Sequence, residues 1–441
     1  MQININPKVK KVLSLAIPVA ISNFIDMFQM LIDLLMVGRI SPEAIAAVGM
    51  SIQFMGLIYV LSSPFSVGAN ALISRFIGAN QKADAEKSLF IISFFALLVA
   101  LPIAITGILY SKYFFLIMGT SKEVALVGEK YFSILSFVIP VVFVGSVFYS
   151  GMYASGDSKT PLKIGIFTNI VNAILDYILI FGKFGFPELG VKGAATATLI
   201  AYTLDLILFL YVFISNKTTI SLKKNFQFEY IKRALKVGIP AGIERIITYS
   251  SFIAFVRIIA EYGTYTLAGY QVGLRIEGLG FMPGFGFTTA AMALVGQSLG
   301  AKKPKEAEEY AILTAKIASW FMGLFGIVMI IFPEYLASLF TSDKNTIEQA
   351  SVYIRLVGFS QVPLAYVFVL SGALRGAGAT KITLLVNATS QWLFRIIPSF
   401  IVMQFSNNIL WIYIIMNLET YITALWLWYI FKRGNWKYIK V

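Results

Sequence analysis

The residues best suited to chemistry form a polar stripe within the first long apolar segment of the chain. Its members are Asn23, Asp26, Gln29 (or its neighbour Met30) and Asp33, at spacings of three and four residues. This spacing places them on one face of a helix, because an α-helix turns once every 3.6 residues. Two carboxylic acids and neutral oxygens on one face could take up a proton or a monovalent cation.

Two later segments carry the same kind of stripe. One consists of Asn169, Asn172 and Asp176, and the other of Thr198, Tyr202 and Asp205. If the three helices meet, their oxygens would suit Na⁺, which needs several oxygen ligands, or a proton, which needs a carboxylate. A plainer alternative stays open, in which these groups only join helices by hydrogen bonds.

The second half of the chain carries a different polar set. Its members are Glu244, Thr248 and Ser251 in one segment, Gln271 and Arg275 in the next, and Asn387, Gln391 and Arg395 further on. A buried glutamate needs a cationic partner, and we expect Arg275 or Arg395 to pair with Glu244. Such a pair is either structural or part of a site for substrate or a second cation. We assign no role to Glu277 or Glu419.

The elements that must position these groups are membrane helices. The 441 residues are 58% hydrophobic and 13% charged, whereas soluble domains carry about a quarter charged residues, and the mean hydropathy is +0.78. The chain is therefore expected to be an all-α polytopic membrane protein. Its apolar runs predict twelve transmembrane helices, at residues 12–37, 44–74, 88–110, 125–153, 162–181, 190–214, 235–261, 266–299, 310–332, 347–374, 384–403 and 409–431.

The distribution of basic residues predicts the orientation of these helices. Of the 36 lysines and arginines, 23 lie at the termini or in loops on the same side as the termini, and 6 lie on the opposite side. Because cytoplasmic loops carry an excess of basic residues, we expect both termini in the cytoplasm and the protein in the cell (inner or plasma) membrane. This topology accounts for the net charge of +14, so no nucleic-acid partner is indicated.

The chain also contains an internal repeat. A shift of 222 residues aligns Pro18 with Pro240 and Tyr131 with Tyr353. Two parallel repeats of six helices follow, and alternating access uses paired bundles of this kind. The expected division is an N-terminal lobe at 1–215, a cytoplasmic linker at 216–236 and a C-terminal lobe at 237–441.

The acidic cluster is not duplicated. Under the same shift Asp33 aligns with Phe255, and Asp176 aligns with Pro398. The scaffold therefore does not require acids at these positions. This asymmetry favours a dedicated ion site over a role in packing alone.

Missing residue types narrow the function further. The chain has no Cys and no His, which excludes disulfides, Cys/His zinc sites and nucleophiles that rely on an imidazole. An intramembrane aspartyl protease would need Tyr-Asp and Gly-x-Gly-Asp pairs, and a channel would need a recognisable filter; the sequence contains none of these. We therefore expect no enzyme activity and no cofactor.

Short motifs along the chain resemble those of the multidrug and toxic compound extrusion (MATE) transporters. They are Pro18-x14-Asp33, Val37-Gly38-Arg39, Gly156-Asp157-Ser158-Lys159-Thr160-Pro161, Asn172-x3-Asp176, Gly238-x-Pro240-x3-Glu244 and Leu374-Arg375-Gly376-Ala377-Gly378. Their order and spacing, together with the duplicated twelve-helix architecture, identify the chain as a member of this family.

The resemblance implies export of cationic or amphiphilic organic compounds in exchange for H⁺ or Na⁺. The cation-coupling network that it implies consists of Asp33, Tyr131, Asn172, Asp176 and Thr198. If the ion is Na⁺, the implied ligands are Asp33, Asn172 and Asp176. Pro18 corresponds to the proline at which the first helix bends. Glu244 corresponds to an acidic position linked to coupling in the second lobe, although the tenth helix lacks the second acid that some sodium-coupled members carry.

We therefore expect a secondary antiporter that works by alternating access, as a monomer among membrane lipids. Contacts to substrate or a second coupling site are expected from Asp26, Glu244, Gln271, Arg275 and Arg395. The alternative is a lipid-linked oligosaccharide flippase of the same broad superfamily, which would need a wide cationic cavity. Arg245, Arg257, Arg275 and Arg395 make that alternative conceivable, but the acidic cluster of the first half fits it less well.

Overall fold

A computed structural model describes residues 6–215 and 218–441, and this part of the chain is almost entirely helical. The α-helices are α1 Pro7–Val37, α2 Pro42–Gly78, α3 Lys82–Ile117, α4 Lys122–Leu135, α5 Val138–Ser155, α6 Lys159–Phe181, α7 Val191–Ile214, α8 Phe228–Ala260, α9 Thr264–Gly300, α10 Pro304–Ile331, α11 Pro333–Ser338, α12 Lys344–Gly376, α13 Thr380–Thr389, α14 Ile397–Met403 and α15 Leu410–Arg433. A π-helical segment, Ser390–Ile396, joins α13 to α14, and a 3-10 turn, Asn435–Tyr438, follows α15.

These helices form twelve long rods, the number that the hydropathy pattern predicts. Only Ser136 and Phe137 separate α4 from α5, and α13, the π-helical segment and α14 follow one another without a break. Ten single helices are long and apolar enough to cross a membrane. The other two rods are α8, which carries several charged side chains, and the rod built from α13, the π-helical segment and α14.

Side-chain caps and glycines mark the helix ends. The Ser41 hydroxyl accepts the Ala44 N–H at 3.1 Å at the start of α2, and a carboxylate oxygen of Asp343 accepts the Thr346 N–H at 2.8 Å at the start of α12. Gly156 ends α5 with a φ of 94°, a left-handed conformation that a residue with a Cβ rarely adopts. Short loops between capped helices are what an antiparallel succession of spans requires.

The chain separates into two compact units. The leading unit is Ile21–Gly238, and the trailing unit is Ile239–Val441 together with the described part of Met1–Ala20. In the leading unit α2 and α3 pack on α5, and α6 packs on α7; in the trailing unit α9, α10 and α12 pack together. Each boundary between the units falls inside a helix, α1 or α8.

The predicted division into lobes 1–215 and 237–441 follows the sequence repeat and stays a prediction. The predicted linker 216–236 begins with two residues that lie outside the described part of the chain. Beyond them, Ser221 binds the leading unit, because its N–H and its hydroxyl both donate to Glu86 Oε1, at 3.2 and 2.8 Å.

Two close helix contacts are related by the 222-residue repeat. In the leading unit, a Cβ added to Gly238 on α8 would lie 1.8 Å from the Pro64 carbonyl oxygen on α2. In the trailing unit, a Cβ added to Gly286 on α9 would lie 2.4 Å from the Ala16 carbonyl oxygen on α1. Pro64 and Gly286 are equivalent positions in the repeat, and so are Ala16 and Gly238. The same helix crossing therefore occurs in both units. The glycine lies on α8 in the leading unit and on α9 in the trailing unit.

We expect Gly238→Ala to destabilise the protein by about 1–3 kcal/mol, because the new methyl group would overlap a backbone oxygen that cannot rotate away. The measurement is the thermal unfolding midpoint of purified protein in detergent. Gly49→Ala on α2 is the matched control, since nothing lies within 4 Å of its added Cβ. An equal change of midpoint in both variants would contradict the steric explanation.

Candidate functional site

Two carboxyl groups lie side by side in the leading unit, those of Asp33 on α1 and Asp176 on α6. They are within hydrogen-bonding reach of one another. Gln29, one turn before Asp33, joins them, because its Nε2 lies 2.6 Å from Asp33 Oδ1 and 3.5 Å from Asp176 Oδ2. Asp176 is fully buried, and Gln29 is 8% exposed. The polar stripe of α1 therefore meets the polar stripe of α6.

Polar atoms without partners lie beside this carboxyl pair. Asp176 Oδ1 and Asn172 Nδ2 are buried and have no hydrogen-bond partner in the described chain. Tyr131 on α4 is also buried and close enough to both carboxyls for electrostatic interaction. Because buried polar atoms normally have partners, Asp176 Oδ1 is free to take up a proton or a small cation, and Asn172 Nδ2 is free to donate to an ordered water.

The donor set suits a monovalent cation better than a tightly held divalent metal. Within residues 6–215 and 218–441, no three His, Cys, Asp or Glu side chains come together in a way that could hold a metal. Asn172 and Asp176 lie on adjoining turns of α6, and Asp33 meets them from α1, so carboxylate and amide oxygens are available together. Na⁺ is bound by such mixtures of carboxylate and neutral oxygens.

Two other predicted residues do not contact this pair directly. The Thr198 hydroxyl donates to the carbonyl of Ala194 on its own helix at 3.0 Å, and in the described chain it bonds to neither carboxyl. Pro18 is buried inside α1, where it removes one backbone hydrogen bond. It lies two residues before Ala20, where the trailing unit gives way to the leading unit along α1.

A cavity of about 320 Å³ adjoins the carboxyl pair, with walls from α1, α2, α5, α6 and α7. Asn172 reaches this cavity, and two further carboxylates line it, those of Asp26 and Asp205. Asn169 Nδ2 donates to Asp26 Oδ1 at 2.9 Å, and the Tyr149 hydroxyl donates to Asp205 Oδ1 at 3.0 Å. Among the described residues, none that lines the cavity is a lysine or an arginine.

Comparison with known proteins identifies the family. The MatE family model matches residues 18–178 and 240–401, and the two stretches begin at Pro18 and Pro240, the prolines that the repeat aligns. This chain belongs to the MatE family. The resemblance indicated by the motifs is therefore confirmed. The predicted fold, twelve transmembrane helices in two parallel six-helix repeats, is confirmed as well.

Relatives and solved structures of the MatE family cover nearly the whole chain. A probable multidrug resistance protein NorM from Thermotoga maritima is 31% identical over 90% of this chain and 86% of its own length. A MOP superfamily transporter from Pyrococcus furiosus shares the fold with a TM-score of 0.90 at 20% identity, covering 99% of this chain and 98% of that one. An outward-facing multidrug resistance MATE family transporter gives the same TM-score at 21% identity, with the same coverage.

The predicted partner of Glu244 in this MatE family member was wrong. Glu244 binds neither Arg275 nor Arg395 but Arg375, whose Nη2 lies 2.5 Å from Glu244 Oε1. Asn387 Nδ2 donates to the same oxygen at 2.5 Å, and the Thr383 hydroxyl donates to Oε2 at 2.7 Å. All of these residues lie in the trailing unit. Both carboxylate oxygens of Glu244 therefore have partners, whereas Oδ1 of Asp176 has none in the described chain.

The other predicted residues of the second half fall into two groups. Arg395 lies in the π-helical segment and pairs with buried Glu419, which also accepts a hydrogen bond from the Thr423 hydroxyl at 2.7 Å. Gln271 and Arg275 share one face of α9, are exposed, and have no side-chain hydrogen bond within the described residues. The structure therefore does not gather Glu244, Arg275 and Arg395 into one cluster.

Sequence reasoning missed two other contacts of the MatE family member. Tyr353 donates to Glu277 Oε2 at 2.5 Å, which gives a partner to a glutamate left without a role. The repeat indicates this contact, because Tyr353 aligns with Tyr131, which is predicted to lie near the carboxyl groups of the first half. Arg375 belongs to the motif Leu374-Arg375-Gly376-Ala377-Gly378, but no spacing rule connects it with its partner Glu244, 131 positions earlier.

Proposed function

We propose that the protein is a secondary antiporter that exports small organic cations or cationic amphiphiles in exchange for H⁺ or Na⁺ by alternating access. Membership of the MatE family and the similarity to the probable multidrug resistance protein of Thermotoga maritima support this proposal. The observation that carries it is the Asp33–Asp176 pair, joined by Gln29, in which Asp176 is fully buried and keeps one oxygen without a partner in the described chain.

The carboxyl pair supplies the coupling chemistry. Two carboxylates in contact repel each other strongly in a medium of low polarity, and a proton shared between them or a Na⁺ bound by both removes that repulsion. Binding the cation therefore favours the arrangement in which α1 and α6 hold the two groups together. Asn172 connects the pair to the cavity, because it lies one turn from Asp176 and lines the cavity wall.

The exchange follows from reciprocal coupling between the two sites. If a bound cation weakens substrate binding, bound substrate must weaken cation binding by the same factor. One cation that moves inward across about 100 mV releases about 2.3 kcal/mol, but an organic monocation that moves outward costs the same amount. A one-for-one exchange is therefore driven by the concentration gradient of the coupling ion. In this proposal α1 bends near Pro18 as the cation enters and leaves.

The cavity chemistry disfavours the flippase alternative. A lipid-linked oligosaccharide carries a pyrophosphate, which needs a basic lining. The cavity of the leading unit instead has Asp26 and Asp205 and no lysine or arginine. We propose a monomeric cation exporter of the cell membrane, with both termini in the cytoplasm and without enzyme activity.

Everted membrane vesicles test this function. Their interior corresponds to the cell exterior, so we expect an acidic or a sodium-loaded interior to drive accumulation of the fluorescent cation ethidium. The two gradients are imposed separately, and the one that drives uptake identifies the coupling ion. Vesicles that hold both gradients but never accumulate ethidium above the level of vesicles without the protein would refute the proposal. A selective ionophore that removes the active gradient is the control.

A further inference from the structure

The cavity of the leading unit is lined by two carboxyl groups, and none of its lining residues in the described chain is a lysine or an arginine. Asp26 on α1 and Asp205 on α7 both line it and lie close enough to influence each other electrostatically. Asp205 is 8% exposed, whereas Asp26 is open to the cavity. Both accept a hydrogen bond from a neutral donor in the cavity wall, Asp205 from the Tyr149 hydroxyl and Asp26 from the Asn169 amide. A positive group bound beside these carboxyls would stabilise their ionised forms, because an opposite charge within a few ångströms favours a carboxylate.

A second observation points to a missing ligand. Asn172 is 4% exposed and lines the cavity, and its Nδ2 has no hydrogen-bond partner in the described chain. This donor could bind a carbonyl, a hydroxyl or a water that accompanies a ligand. The side chains of Tyr149 and Tyr153 line the same cavity, with ring centroids 6.1 Å apart, and aromatic faces attract organic cations.

We propose that this cavity selects organic substrates that carry two positive groups, one held by Asp26 and the other by Asp205. Two carboxylates carry two negative charges, so a dication neutralises both, whereas a monocation leaves one of them without a counter-charge. A volume of about 320 Å³ is within the range of sites for drug-sized molecules. The inference rests on the proposed function, because it takes the bound dication to be the exported substrate.

The Asp26–Asp205 site is distinct from the coupling pair. Asp33 and Asp176 are not part of the cavity lining and are joined to each other through Gln29. Asn172 is the one residue predicted for cation coupling that also lines the cavity. Substrate charge and coupling ion are therefore held by different carboxylates in the same unit.

Two dyes with the same ring system test the proposal. Ethidium carries one fixed positive charge, and propidium carries a second on a flexible side chain. We expect purified protein in detergent to bind propidium about tenfold more tightly than ethidium, the gain from one additional charge-assisted contact. In Asp205→Asn we expect the affinity for propidium to fall about tenfold while that for ethidium changes less than about threefold. Asp26→Asn is expected to remove the same advantage of propidium.

Glu188→Gln is the matched control, because it removes an exposed acid that lies outside the cavity. It should leave both affinities unchanged. Equal affinities of the unmodified protein for the two dyes would overturn the proposal even if Asp205→Asn failed to fold. An equal loss of affinity for both dyes in a well-folded Asp205→Asn protein would also overturn the proposal. If a gradient drives ethidium uptake but the protein does not bind propidium more tightly than ethidium, only this inference is refuted. If the protein prefers propidium but no gradient drives uptake, the antiporter proposal is refuted.

Discussion

Replacing Asp33 with Asn is expected to abolish gradient-driven export while leaving the protein folded. The substitution keeps the size of the side chain and a group that Gln29 can bind, but it removes one of the two charges that hold the coupling ion. Coupling free energies between sites are about 1–3 kcal/mol, so the stimulation of ethidium uptake by the active gradient should fall by roughly 5–150-fold. The measurement is uptake into everted vesicles at matched amounts of protein.

Binding without a gradient provides the control for Asp33→Asn. Because Asp33 is outside the cavity lining, the affinity of the purified variant for ethidium should stay within about threefold of the original value. Glu188→Gln should behave like the unmodified protein in both assays. Full gradient-driven uptake by a well-expressed Asp33→Asn protein would remove Asp33 from the coupling mechanism.

The meeting of α1 and α6 could be predicted because it follows from periodicity. Polar groups at spacings of three and four cannot face lipid, so stripes on different helices have strong reason to face one another. This reasoning brought Asp33 and Asp176 into one expected cluster although 143 residues separate them. The twelve spans could also be predicted, because hydropathy identifies the segments that are apolar enough to lie within the membrane.

The partner of Glu244 could not be predicted, because charge alone does not choose among several arginines. Arg275, Arg375 and Arg395 all carry the required charge, and the choice depends on how α8 crosses α12 and α13. Thr198 illustrates a different limit. Its helical spacing was correct, but a threonine can bond to its own helix backbone, and here its hydroxyl does so.

The π-helical segment at Ser390–Ile396 was also absent from the predictions. Hydropathy does not distinguish an α-helical from a π-helical register. The segment ends two residues before Pro398, which lacks an N–H and so cannot continue the α-helical hydrogen bonds. The wider turn carries Arg395 and Gln391, whose side chains contact Glu419 and Ser251, respectively.

Removing Arg375 is expected to cause the largest loss of stability. Glu244 is 3% exposed and Arg375 is 18% exposed, so Arg375→Ala leaves a carboxylate in a buried position with only the neutral donors Asn387 and Thr383. Breaking a buried pair from one side costs about 3–5 kcal/mol, and the partial exposure of Arg375 places the expected loss near the lower end. A clear fall in the thermal unfolding midpoint in detergent is the measurement. Arg275→Ala is the matched control, since its guanidinium is exposed and has no side-chain hydrogen bond in the described chain.

A double variant distinguishes a structural Glu244 from a coupling Glu244. Both carboxylate oxygens are already bound by protein donors, whereas Asp176 keeps a buried oxygen without a partner, so the geometry favours the structural role. Glu244→Gln combined with Arg375→Gln removes both charges at once, and we expect it to recover most of the stability lost in Arg375→Ala. Gradient-driven ethidium uptake should then remain within about threefold of the original rate, because no coupling charge has been removed. Recovered stability with abolished uptake would instead show that Glu244 takes part in coupling, because a purely structural role would restore stability and uptake together.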